Sequence, residues 1–221
     1  METYTIKHIE DGRYAIATNK QGLYGVLSGY ETINTDNGEI VFVPCGIACP
    51  FEYSNIVPST EEFYMIGGDI NNLVKYTTFL LRVGKKEGLF STLYGAIVLK
   101  PVPKETYCII ARAATEGLVG CLKKSKDNYG LRRTSVVFLD FDGVEVIVLD
   151  KKWRGISQGF QGGTAYISSS SSREASIDKN GVIENERRVE DVGFSDESPY
   201  DIDRMYRSAF EDDPAAEWNI D

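Results

Sequence analysis

Histidine is almost absent from this chain, whose 221 residues include only His8. A Ser-His-Asp or Cys-His catalytic apparatus would have to use that residue. His8 belongs to the alternating stretch TYTIKHIE, which predicts a first β-strand with Tyr4, Ile6 and His8 on one face. We therefore interpret His8 as a strand or surface histidine, and we predict no catalytic residue.

Cysteine is also scarce, and the four residues present are Cys45, Cys49, Cys108 and Cys121. They are too few and too scattered for a disulfide scaffold, which favours reduced thiols and a cytoplasmic location. Zinc sites usually need two close cysteine pairs or added histidines, and only the first two cysteines lie near each other. The glycine-rich stretches, at 67–68 and 159–163, lack a P-loop pattern. We predict no metal site and no cofactor.

Long apolar runs are missing as well. No segment reaches the length of about 18 apolar residues that a membrane helix needs, so we expect no membrane association. The first residues, METYTIKHIEDGRY, contain no apolar run behind a basic flank, which predicts no signal peptide.

Negative charge is concentrated at one end of the chain. Residues 185–221 contain 12 Asp/Glu and 4 Arg, whereas residues 1–184 are nearly neutral, in a chain of net charge −9. This distribution divides the chain into a body at 1–184 and an acidic tail at 185–221. The tail's charge predicts no direct binding to nucleic acid.

Aromatic residues and glycine are abundant, with 13 Tyr, 10 Phe and 21 Gly. This composition suits a sheet protein with many turns. A unit of two short strands around a polar turn recurs at YAIATNKQGLYGVL, FLLRVGKKEGLFSTL, CIIARAATEGLVGCL and TAYISSSSSREASID. In the first three copies the turn is predicted to close on a Gly-Leu pair: Gly22-Leu23, Gly88-Leu89 and Gly117-Leu118.

A glycine-bearing turn and a third strand follow each copy. These segments read DNGEIVFVP, YGAIVLKP, DFDGVEVIV and DKNGVIE, and Asn-Gly and Asp-Gly favour tight hairpin turns. The pattern predicts an all-β, mostly antiparallel fold. Repeated hairpin or three-stranded units would form an extended or curved sheet assembly, and a short C-terminal helix would follow.

The segment VVFLDFDGVEVIVLD, residues 136–150, allows a second interpretation. A buried strand ending in D-x-D-G resembles the first motif of haloacid-dehalogenase-like phosphatases. That motif needs further parallel strands and helices after it, and no βαβ alternation follows here. Asp140 to Gly143 also occupy the same place in the unit as Asn37-Gly38 and Asn180-Gly181. We therefore predict a β-turn.

The repeat resembles the tryptophan-glycine (WG) repeat of bacterial proteins. The matching segments are AIATNKQGLYGVL with NGEIVFVP, LLRVGKKEGLFSTL with YGAIVLKP, and GGTAYISSSSSREASID with KNGVIE. Tyr24, Phe90 and Val119 stand where that family has its tryptophan. The resemblance implies a bacterial origin and a non-enzymatic protein-interaction module. Within such a module we predict a contact face of exposed aromatics, half of them core, at Tyr24, Tyr53, Phe90 and Tyr94.

The tail contains one helical pattern, near residues 199–212. Ser198 and Pro199 suit a helix start, and an apolar stripe follows at Ile202, Met205, Tyr206, Ala209 and Phe210. Three hypotheses stay open: a cap on an open end of the sheet array, an arm that docks its Ile202, Met205, Tyr206 and Phe210 face into a partner, or mimicry of nucleic-acid charge.

The function hypotheses belong to three classes. The first is the interaction module, with another protein as partner and acidic flanks that favour a basic one. The alternative is a small acidic inhibitor or immunity protein that neutralises a toxin or nuclease by tight binding. The third is an enzyme whose pocket gathers His8 with carboxylates or cysteines from distant parts of the chain.

Overall fold

The chain forms β-strands throughout the residues that the computed structural model describes. The described residues are 3–35, 38–66, 71–126, 130, 132–169 and 171–188. Their strands are, in chain order, β1 (Thr5–Glu10), β2 (Tyr14–Thr18), β3 (Tyr24–Ile33), β4 (Ile40–Tyr53), β5 (Asn55–Met65), β6 (Leu73–Val83), β7 (Lys86–Ser91), β8 (Ala96–Pro103), β9 (Tyr107–Thr115), β10 (Leu118–Lys126), β11 (Arg132–Leu139), β12 (Glu145–Val148), β13 (Trp153–Gln161), β14 (Thr164–Ser169), β15 (Arg173–Asp178) and β16 (Ile183–Arg188).

Every four consecutive strands form one antiparallel sheet in which neighbours in sequence are neighbours in space. The first sheet contains β1 to β4, the second β5 to β8, the third β9 to β12 and the fourth β13 to β16. The predicted all-β fold of repeated hairpins is confirmed, and each unit has one strand more than the predicted three. The helix predicted near 199–212 lies outside the described residues.

Successive sheets pack face to face around separate apolar cores. Ile16 and Val26 of the first sheet pack against Phe79 and Phe90 of the second. The core between the second and third sheets includes Leu89, Val98, Val119 and Val137. The core between the third and fourth includes Phe138, Trp153, Phe160 and Ile167. The chain is therefore a row of stacked sheets rather than one continuous sheet.

The third sheet is buried on both faces, which explains its unbroken apolar runs. In β11, Val136 and Phe138 point towards the fourth sheet, whereas Val137 and Leu139 point towards the second. Side chains alternate between the faces of a strand, so a strand covered on both sides needs apolar residues at every position. The run VVFL is such a strand.

Glycines inside strands mark places where backbones approach closely. A Cβ atom on Gly88 would lie 2.5 Å from the carbonyl oxygen of Leu99 on the neighbouring strand. Gly88 pairs with Leu81 within β7, so the prediction that it closes a turn is wrong. Gly84, with a φ of 55°, lies in that turn instead.

Four hairpin turns share one hydrogen-bond pattern. Asp140 Oδ1 accepts backbone hydrogen bonds from residues two and four positions later, at 3.0 and 2.8 Å. Asn19, Asp178 and Ser169 do the same in their own turns. A short polar side chain that bonds nearby backbone N–H groups stabilises such turns. The prediction that Asp140 to Gly143 form a β-turn is confirmed.

The first strand differs from its predicted arrangement. Ile6 pairs with Ala17, but a bulge follows, and His8 pairs with Ile16. A bulge reverses the side-chain alternation. His8 therefore lies on the face opposite to Ile6, and its Nε2 is 2.9 Å from a carboxylate oxygen of Glu10.

Candidate interaction surfaces

The first surface is the outer face, which we define as the side of the first sheet that points away from the second. Its packed residues are Ala15, Ala17, Leu27 and Phe42, with Tyr4, Ile9 and Phe51 against them. All of these belong to the first sheet or the residues beside it. None of the described residues of the other three sheets contributes to this cluster.

Exposed isoleucines surround this cluster. Ile6 pairs with Ala17 and Ile47 pairs with Leu27, so both lie on the outer face. Ile33 and Ile40 pair with each other at the far end of β3 and β4, on the side of Phe42. Their exposed fractions are 39% for Ile6, 54% for Ile47, 65% for Ile33 and 68% for Ile40.

A cavity of about 610 Å³ opens on the outer face. Tyr4 and Phe51 form one wall, with their rings stacked at a centroid distance of 4.7 Å. Ile47, Lys20 and Asn19 contribute further lining atoms. Its walls thus combine aromatic and aliphatic surface with one cation and a few polar groups.

The opposite end of the row is polar. The outer face of the fourth sheet carries the pairs Tyr166 with Ser176 and Ser168 with Glu174. Ser176 is buried, and its hydroxyl donates a hydrogen bond to the carbonyl of Glu184. A terminal sheet with a polar outer face is adapted to solvent, and the first sheet is not.

The second surface is the basic groove, a cavity of about 720 Å³ between the third and fourth sheets. Among the described residues, four cations line it: Lys124, Lys126, Arg133 and Arg154. The carboxylate of the lining residue Glu105 forms an ion pair with Lys85 at 3.4 Å. Lys126 and Arg154 are exposed and form no ion pair with a described residue. The described residues of the groove therefore carry excess positive charge.

Glu116 forms a junction between three sheets. It occupies the turn between β9 and β10, and its carboxylate accepts hydrogen bonds from Tyr64 of the second sheet and from the backbone of Gly162 and Gly163 in the fourth. Lys179 lies 3.0 Å from the same carboxylate. Burial would raise the pKa of Glu116, but Lys179 and the backbone N–H groups of Gly163 and Gly162 lower it overall. This junction holds the second, third and fourth sheets together.

The predicted aromatic contact face divides between core and surface. Tyr53 and Phe90 are 1% and 0% exposed and belong to the core between the first two sheets. Tyr24 is partly buried against the same core. Tyr94 is 40% exposed, and its hydroxyl accepts a hydrogen bond from the backbone N–H of Glu116 at 2.7 Å. The other predicted contact residues lie outside the described residues: Ile202, Met205, Tyr206 and Phe210.

Sequence reasoning missed both surfaces. The signal for the basic groove was the run KKSK before RR in the hairpin of β10 and β11. The positive charge of this run is offset by acidic residues elsewhere in 1–184, so the net charge of that range does not reveal it. The outer face had no local signal, because AIAT in the first sheet resembles strands that are covered on both sides.

The four cysteines are free thiols in two environments. Cys45 and Cys108 are exposed, whereas Cys49 and Cys121 are buried. Burial raises the pKa of both Cys49 and Cys121 to about 12. Two of the thiols are thus held neutral as apolar core groups. Within the described ranges, no group of three or more His, Cys, Asp or Glu side chains is placed to hold a metal ion.

The described part of the chain also contains no helix with the length and apolar character needed to cross a membrane. Comparison with protein-family models gives no match, and comparison with curated proteins gives none either.

Proposed function

We propose that this chain is a non-enzymatic protein-interaction module that binds another protein through the outer face of its first sheet. One observation carries the proposal: the outer face is apolar with exposed isoleucines, whereas the other end of the row is polar. Clustered exposed apolar residues are typical of protein-binding surfaces.

The partner should present an apolar β-sheet face. Every interface within the row consists of one apolar sheet face against another, and the outer face has the same composition. Ile33, Ile40 and Ile47 are 54–68% exposed, so burial of their remaining surface would contribute about 3–6 kcal/mol in total, before the cost of association. These isoleucines would therefore supply part of the free energy that a specific complex needs.

The resemblance to tryptophan-glycine repeats supports the same class of function. The row of hairpin-built sheets is consistent with a repeat protein, and the diverged WG repeat stays our proposal for its family. A cytoplasmic location also stays a prediction.

The test compares two double variants of the full chain. In the outer-face variant, Ile40→Lys and Ile47→Lys place cations on the proposed contact surface. In the control variant, Val144→Lys and Val146→Lys change exposed valines of the third sheet that are 59% and 52% exposed. Circular dichroism and thermal unfolding establish that both variants fold.

The partner is identified by a photo-reactive residue at position 47, compared with the same residue at position 146, in the native host. The protein enriched at position 47 is then purified and titrated by calorimetry. We expect the outer-face variant to weaken its binding at least tenfold and the control variant to leave it unchanged. Equal enrichment at both positions, or equal binding by both variants, would contradict the proposal.

Two other occupants are distinguishable in the same experiment. If sedimentation shows self-association that only the outer-face variant abolishes, the occupant is a second copy rather than another protein. The inhibitor hypothesis, favoured by the acidic tail, predicts a basic partner. That partner would no longer bind when the tail carboxylates are neutralised, but it would still bind the outer-face variant.

A further inference from the structure

The positive charge of the basic groove has a counterpart in this same chain. Residues 189–221 contain 11 Asp/Glu and two Arg, which equals the net charge of −9 of the whole chain. Residues 1–188 are thus balanced overall, yet the fold concentrates Lys124, Lys126, Arg133 and Arg154 around one groove. Lys126 and Arg154 have no anionic partner among the described residues.

The acidic segment begins at the same end of the fourth sheet as Arg154 of that groove, on the opposite edge strand. Arg188, the last residue of β16, pairs with Arg173, and Trp153, the residue before Arg154, pairs with Ser169 at the same end of the fourth sheet. Three strand spacings between β13 and β16 amount to about 14 Å. The contact across this end is direct, because Lys152 Nζ lies 3.1 Å from a carboxylate oxygen of Glu186.

The segment begins on the fourth sheet, whereas the apolar outer face belongs to the first. About five extended residues after Arg188 span the distance of about 14 Å to the edge of the fourth sheet that carries Arg154. Most of the segment is then available to lie in the basic groove.

We propose that the acidic segment 189–221 binds in the basic groove of its own chain. Its carboxylates pair with Lys124, Lys126 and Arg154, and the linkage to β16 provides a high effective concentration. The body therefore carries an internal anionic ligand at this groove. An external acidic peptide or polyanion would have to displace that ligand before it could bind.

The test is zero-length carbodiimide crosslinking of the full chain, which joins a lysine only to a carboxylate in contact with it. We expect crosslinks from residues 190–221 to Lys124 and Lys126 to exceed those to Lys20 at least tenfold. Lys20 is the matched control because it is exposed beside the cavity of the outer face. Raising the salt to about 0.5 M should reduce the groove crosslinks, since screening weakens exposed ion pairs.

A charge-reversal variant and isotope mixing complete the test. Lys126→Glu with Arg154→Glu should lower the crosslinks to Lys124 at least fivefold, whereas Lys7→Glu should not change them. In an equimolar mixture of ¹⁴N and ¹⁵N protein, the crosslinked peptides should come from single chains. Crosslinks that are uniform over the lysines, concentrated at Lys20 or formed mainly between chains would each overturn the proposal.

Discussion

At the scale of single residues, Glu116 combines a strained backbone with contacts to three sheets. It has a φ of 53°, a left-handed conformation that costs energy for a residue other than glycine. The next residue, Gly117, also has a positive φ of 88°, as a two-residue hairpin turn requires. A glutamate is tolerated here because its carboxylate satisfies donors from the second and fourth sheets.

Replacing Glu116 with glutamine should destabilise the protein. The side chain is 12% exposed, and the change keeps its shape but removes the charge that pairs with Lys179. We expect a loss of about 2 kcal/mol in the free energy of unfolding at pH 7, measured by urea denaturation. Glu105→Gln is the control, because that side chain is 75% exposed, and it should change the value by less than about 0.5 kcal/mol.

The same variant has a defined pH dependence. The pKa of Glu116 is lowered in the folded state, so its contribution is present above the ordinary value of 4.5 and is lost as the pH falls through the lowered value. The difference between wild type and Glu116→Gln should therefore shrink in acid. A difference that stays constant down to pH 3 would show that the charge is not responsible.

At the scale of strands and sheets, glycine and alanine set how closely neighbouring sheets approach. Gly159 of β13 faces Ala113 of β9, and a Cβ atom on Gly159 would lie 2.7 Å from the Cα of Ala113. Thr115 Oγ1 donates a hydrogen bond to the carbonyl of Phe160 beside this contact, at 2.6 Å. The small residues thus allow a direct contact between the third and fourth sheets.

Gly159→Ala should separate these two sheets. The added methyl group meets backbone rather than a flexible side chain, so we expect a loss of about 2 kcal/mol in stability. Guanidinium denaturation measures the change. Gly46→Ala in β4 is the matched control, since its Cβ would meet only Ser28 Oγ at 3.3 Å. Equal effects of both substitutions would contradict the steric explanation.

The strands and turns could be predicted from local sequence. Whether the same sequence motif occupies the same structural position in each unit could not. Gly22, Gly88 and Gly117 each precede a leucine, yet the first and third lie in turns and the second lies within a strand. Their common dipeptide has two physical origins, a positive φ and a close backbone approach. Only the position of a neighbouring strand distinguishes them, and that position is a tertiary property.

The candidate surfaces escaped prediction for a related reason. Tyr24, Tyr53, Phe90 and Tyr94 have similar local sequence contexts, and the stacking of sheets decides which of them is exposed. The outer face depends on which sheet stands at the end of the row. The basic groove combines the hairpin of β10 and β11 with Arg154 of another sheet, so no sequence window contains it.

At the scale of the whole molecule, the row of sheets is a one-dimensional array with inner and terminal units. The second and third sheets have an apolar core on each face, whereas the fourth has a core on one face only. In such arrays stability is approximately a sum of unit and interface contributions. The inner sheets should therefore open less often than the fourth.

Hydrogen exchange of the full chain, read by mass spectrometry, measures this order. We expect peptides from β6, β7, β10 and β11 to exchange slowest, because opening them breaks two interfaces. Peptides from β15 and β16 should exchange at least tenfold faster, since the fourth sheet can separate by breaking one. Binding of a partner at the outer face should add protection to β3 and β4 and leave β16 unchanged. Uniform exchange across the four sheets would instead mean that the row unfolds as one cooperative unit, so that a ligand at either end would stabilise all of it equally.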